Sequence, residues 1–246
     1  MNWTFASRLG LALVIGALNT LWAASEGPGV SPDQALEMLK KGNARYLAGK
    51  QEHPHQDFGR RELTAEKGQH PFATVLSCSD SRVPVEILFD RGVGDIFVIR
   101  VAGNVANVDE VASIEYSADH LNTPLLVVLG HTHCGAVQAV AENAELHGNI
   151  STLVKSIVPA VAKARQKNPA ATGEALVNEA VKVNVWQAIE DLFKISPITR
   201  KNVKDGKLKV LGAVYDIDTG AITWLGTHDK QEDLISKIAP QPKESH

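Results

Sequence analysis

The chain has 246 residues, of which 44% are hydrophobic, 22% charged and 5% aromatic. That balance excludes a disordered, collagenous or coiled-coil chain, and the length suits one α/β domain or two small ones. A formal net charge of −3 with no basic block argues against a nucleic-acid partner, while two cysteines, Cys78 and Cys134, exclude a disulfide-rich scaffold and leave open one bridge or a pair of metal thiolates.

Residues 1–24 carry one charged side chain, Arg8, followed by an apolar run from Leu9 to Trp22 and then by Ala23, Ala24 and Ser25. A positive start, a short apolar stretch and small residues at its exit predict a cleavable secretory signal. The run is too short and too interrupted for a good membrane span, and no later segment is apolar for long enough to make one. The expectation is therefore a mature chain from about residue 25 to 246, one domain, exported to a periplasm and without a stable membrane anchor. Ser31-Pro32-Asp33-Gln34 then reads as a capped helix start. Residues 49–70 read as a polar loop. Short apolar runs follow at 72–77, 95–100, 124–130 and 209–215, and a final short strand at Ile222 to Leu225. Runs without polar alternation predict strands covered on both faces, hence a parallel sheet. Helical stretches fall between them, at about 107–120, 135–147, 151–167 and 174–194. Strands alternating with helices predict an α/β fold, a parallel-core sheet flanked by helices.

The chemistry-bearing residues follow two of these strands. After the first comes Cys78-Ser79-Asp80-Ser81-Arg82, and after the third Gly130-His131-Thr132-His133-Cys134-Gly135. Ligands of open α/β sheets bind at the strands' carboxyl ends, so both loops face one crevice. Two thiolates and an imidazole are the ligand set zinc prefers, and three ligands leave the fourth position of a catalytic ion open. Asp80, once ionised, only accepts hydrogen bonds, and Arg82 can hold it by a bidentate pair. On residues alone, a Cys78–Cys134 disulfide in an exported binding protein stands as the competing reading.

The pair C-S-D-S-R and G-H-T-x-C-G resembles the β-class carbonic anhydrases, over about residues 31–225. The resemblance implies an α/β fold with an N-terminal helical arm that wraps a partner subunit, in a homodimer or dimer of dimers. It implies one Zn²⁺ per subunit on Cys78, His131 and Cys134, with Asp80 and Arg82 as the catalytic dyad. It also implies substrate contacts from Gln69, Phe97, Tyr116 and the Gly135 amide. The implied reaction is reversible hydration of CO₂ to bicarbonate and a proton, by attack of zinc-bound hydroxide. In one group of members whose site closes, a tryptophan stands three residues before the first cysteine. Val75 stands there, so an open site is implied. Carbonyl sulfide or carbon disulfide hydrolysis on the same scaffold is the rival activity.

Overall fold

Ser31 starts the first helix as its sequence predicts. In the computed structural model, which describes residues 27–236, its hydroxyl accepts from the Gln34 amide at 3.2 Å and Gln34 Oε1 accepts from the Ser31 amide at 2.8 Å. The leader predicted at 1–24 lies outside the described residues. The elements in chain order are α1 (Pro32–Leu47), α2 (Phe58–Lys67), β1 (Ala73–Ser77), α3 (Val85–Leu88), β2 (Ile96–Arg100), α4 (Val108–Glu115) and β3 (Leu125–His131). After them come α5 (Gly135–Ala141), α6 (Ile150–Leu153), α7 (Val158–Lys167), α8 (Gly173–Ile195), α9 (Pro197–Lys204), β4 (Lys209–Tyr215), β5 (Ile222–Gly226) and α10 (Gln231–Ser236).

The sheet order is β2-β1-β3-β4-β5. The first four strands run parallel, and β5 is an antiparallel edge. Successive side chains of a strand point to opposite faces, and here both faces are covered. Leu76, Leu126, Val128, Val210 and Val214 join one cluster with α8, while Val75, Val127, Leu129, Leu211 and Ala213 join another with Ala35 and Leu39 of α1. That double covering is why the strands read as unbroken apolar runs. Fully burying each such aliphatic chain contributes about 1.5–3 kcal/mol.

Register places the site. Ser77 pairs with Arg100 on one side and with Leu129 on the other. The carboxyl ends of β1, β2 and β3 therefore stop side by side, and Cys78 leaves β1 just as β3 reaches Gly130 and His131.

Several boundaries differ from the sequence reading. The polar stretch 49–70 contains a helix, α2, capped by Asp57, whose Oδ1 accepts from the Arg60 amide at 2.9 Å. No residue of α2 is buried, so it carries no apolar stripe for periodicity to reveal. The helix predicted over 107–120 is α-helical to Glu115 and then widens into a π turn, Tyr116–His120, closed by the Leu121 amide on the Tyr116 carbonyl at 3.1 Å. The one expected at 135–147 stops at Ala141, with Asn143 in the left-handed region. The one expected at 151–167 is broken before Val158, because Pro159 has no amide to continue a preceding helix and instead sits in a new first turn. Among the described residues no helix is long and apolar enough to cross a membrane.

Candidate active site and metal centre

Cys78, His131 and Cys134 come together at the carboxyl ends of β1 and β3, all three buried. Their ligating atoms lie within 4.8 Å of one another. That is about the span one ion with ~2.0–2.3 Å bonds to sulfur and nitrogen can bridge. His131 Nδ1 is 2.8 Å from the Thr132 carbonyl, which makes it the donor and leaves Nε2 as the bare acceptor. Nε2 is buried with no hydrogen-bond partner. An orphaned buried acceptor beside two thiols fits a soft divalent cation, and zinc in particular.

The two sulfurs divide their protons unequally. The Cys134 thiol and the amides of Gly103 and Asp80 hold Cys78 well below the ordinary thiol range despite its burial. Cys134, hydrogen-bonded to that sulfur and buried, is held above it. Displacing the proton between them gives a cation a thiolate pair. Both cysteines are free, so the disulfide of the competing reading is not formed.

Asp80 and Arg82 form the pair expected of them. Arg82 Nε donates to Asp80 Oδ1 at 2.9 Å and Nη2 to Oδ2 at 2.7 Å, and the Arg82 amide adds a third bond at 2.9 Å. This fork holds the Asp80 carboxyl far below the usual carboxylate range. Asp80 Oδ2 lies 4.0 Å from His131 Nε2, so an ionised acceptor faces the point where the three ligands converge. Arg82 Nη2 also donates to the His133 carbonyl at 3.1 Å, tying the two loops together. With both its oxygens engaged by Arg82, Asp80 stands beside the cluster and is not one of its members, which suits the open site that Val75 implied.

The remaining predicted residues are placed more loosely. Phe97 and Tyr116 pair with ring centroids 6.0 Å apart, both partly exposed. Gln69 lies on the exposed connection between α2 and β1. Gly135 opens α5 directly after Cys134, and a side-chain atom there would meet nothing within 4 Å, so the helix start is open to an incoming molecule. The His133 imidazole turns to the β4–β5 connection, with Nε2 2.8 Å from Asp218 Oδ2, and that carboxylate raises its pKa.

The structure adds two residues that the sequence reading passed over. Arg100, the last residue of β2, donates to the Cys78 carbonyl at 3.1 Å and to the Asp80 carbonyl at 2.6 Å, so it braces the loop that carries both. The Gly103 amide donates to the Cys78 sulfur at 3.2 Å. Arg100 was open to discovery by the rule that pointed to the two motif loops, since it also ends a parallel strand, β2, beside β1.

Fold and site together define an α/β protein with a buried cysteine–histidine cluster that could hold a metal ion and a carboxylate–guanidinium pair beside it. Residues 73–222 match the family model described as carbonic anhydrase. Carbonic anhydrase 2 of Mycobacterium tuberculosis is 36% identical over 197 residues, covering 78% of this chain and 92% of that protein. The carbonic anhydrase of Mycolicibacterium smegmatis is 36% identical over 199 residues, covering 79% and 94%. Among solved structures, a β-carbonic anhydrase of Aspergillus fumigatus superposes with TM-score 0.66 at 27% identity, over 82% of this chain and 94% of that one. One from Sordaria macrospora, described as tetrameric, gives 0.63 at 27%, over 79% and 98%. The chain belongs to the β-class carbonic anhydrases, a family of enzymes that hydrate carbon dioxide.

Proposed function

We propose that this chain catalyses the reversible hydration of CO₂ to bicarbonate and a proton, with one zinc ion per subunit held by Cys78, His131 and Cys134. The observation that carries the proposal is the unpartnered Nε2 of His131, buried beside two free thiols and 4.0 Å from an ionised carboxylate. When bound there, zinc supplies the Lewis acidity that makes water nucleophilic near neutral pH. The rest is the work of the chain's own groups. Asp80 only accepts hydrogen bonds, so it orients the reacting water by a hydrogen that the water still carries. Arg82 keeps Asp80 ionised and fixes its plane by the fork. The Gly135 amide and the Gln69 carboxamide are suited to a substrate or product oxygen, and the Phe97–Tyr116 pair to an apolar wall for CO₂.

The reading takes 25–246 as one catalytic domain, exported to the periplasm after loss of the leader. It takes the working form as a homodimer or dimer of dimers. Supporting that, α2 has no buried residue and leaves its two large apolar side chains, Phe58 and Leu63, 78% and 49% exposed. The deciding experiment measures zinc per subunit and CO₂ hydration on one sample of purified mature protein. One zinc per chain with chelator-sensitive hydration is expected. A metal-free protein, or a zinc-loaded one inert towards CO₂ above pH 8, would overturn the reading.

A further inference from the structure

Helix α8 buries Leu176, Val177, Ala180, Val181, Asn184, Val185, Ala188, Ile189, Leu192 and Phe193. Nine of these ten are apolar, and the exception is Asn184, 2% exposed. Asparagine is a poorer helix former than alanine, and a buried amide is costly unless it is bonded. The fold alone gives no reason for it, since a leucine would serve the cluster better. Its Nδ2 donates at 2.7 Å to the carbonyl of Gly103, 81 residues away.

Gly103 is the residue whose amide reaches the Cys78 sulfur at 3.2 Å. It sits in the turn Ala102–Asn104 with φ 75° and ψ 18°, the left-handed region. A side-chain atom on it would stand 2.6 Å from Ile157 Cδ1, the movable end of a side chain, so the positive φ is the stronger reason for a glycine. A glycine is also the residue least able to hold one conformation by itself. Something else must hold it, and the Asn184 amide bonds the carbonyl that fixes its ψ.

We infer that Asn184 is a positioning residue of the metal centre, holding Gly103 so that its amide bonds the Cys78 thiolate and sets how that sulfur binds its ion. The inference rests on the zinc reading above. An N–H···S bond draws charge from the sulfur and fixes the direction of its lone pairs. Partners of this outer kind typically change metal affinity about 10–100-fold when removed.

The test uses the full mature protein loaded with cobalt(II), whose thiolate-to-metal charge-transfer band reports on the sulfur. Asn184→Leu keeps the volume and removes the donor. The band should move to longer wavelength, and metal should leave to a competing chelator about tenfold faster. Ile189→Val, buried on the same helix, serves as the control for simple loosening and should leave both unchanged. A wild-type band and dissociation rate in Asn184→Leu would overturn the inference, as would equal changes in the control. Should Asn184→Leu fail to fold, the wild-type protein loaded with cadmium-113 decides. The Gly103 amide proton should show scalar coupling to the metal through sulfur, and no coupling would overturn it. Wild-type protein that takes up neither metal would instead overturn the zinc reading, and the positioning role with it.

Discussion

At the scale of the residue, the site is a matter of which atoms are left without partners. His131 spends Nδ1 on the Thr132 carbonyl and keeps Nε2 bare. Asp80 spends both oxygens on Arg82 and stays ionised. Asp80→Asn replaces one acceptor with a donor and breaks the fork, so metal content should be unchanged while kcat for hydration falls at least about a hundredfold, the scale of losing one preorganised hydrogen-bonding group at a reacting atom. Stopped-flow rates beside metal analysis check this, and full activity would remove Asp80 from the mechanism. Asp90 makes a second prediction, on stability. It is buried, which raises its pKa, yet the amides of Glu52 and His53 at 3.0 Å and Arg45 Nε at 2.5 Å more than offset that and leave it lowered. A carboxyl lowered on folding contributes stability above its unfolded pKa of about 4, and loses it as pH falls from there towards the folded value. Asp90→Asn should therefore be less stable at pH 7 by about 1–3 kcal/mol, with a smaller further loss between pH 4 and 2 than wild type. Urea midpoints at each pH decide it; parallel acid slopes would clear Asp90 of the role.

At the scale of the element, the strands were legible and some helices were not. All five strands lie within a residue or so of where apolar runs placed them, most plainly β1, β3 and β4, which are buried on both faces, while β2 and β5 at the sheet edges are only half-buried. The start of α1 was equally plain, since a capping box is a local signal that needs no tertiary partner. Helix α2 has no periodic signal because none of its residues is buried, and over 151–167 the apolar pattern hides the break that Pro159 makes. One feature of α1 has no sequence signal at all. Gly42 lies against the backbone of Phe89, and a side-chain atom there would stand 1.8 Å from the Phe89 carbonyl oxygen. Gly42→Ala must push α1 away from the end of α3 at Phe89. We expect a loss of about 3 kcal/mol or more by urea unfolding, at the upper end of overpacking costs, in place of the usual gain from glycine to alanine in a helix. An unchanged or raised midpoint would show that α1 is free to shift.

At the scale of the whole molecule, the metal centre joins parts of the chain that are far apart in sequence. Cys78 follows β1, His131 and Cys134 flank the end of β3, and Arg100 braces the first loop from β2. An ion bound to Cys78, His131 and Cys134 binds only the folded chain, so it stabilises by mass action. At zinc one hundred times its dissociation constant the gain is about 2.7 kcal/mol, worth roughly 5–10 °C in a chain of this size. Stripping the metal with a chelator should lower the melting temperature by that order, and restoring zinc should return it. Equal melting temperatures with and without metal would mean that the three ligands do not share one ion.

The sequence by itself determined the strands, the α/β class and the two motif loops, because burial on two faces and side-chain chemistry are written locally. It named Cys78, Asp80, Arg82, His131 and Cys134 for the same reason: thiols, carboxylate, guanidinium and imidazole carry their function in their own atoms. Only the tertiary structure brought in Arg100, Gly103 and Asn184. Their contribution is a backbone carbonyl braced, an amide aimed or a glycine held, and none of these is a property of the residue type. Each exists only once parallel register has set the ends of β1, β2 and β3 side by side and α8 has packed across them.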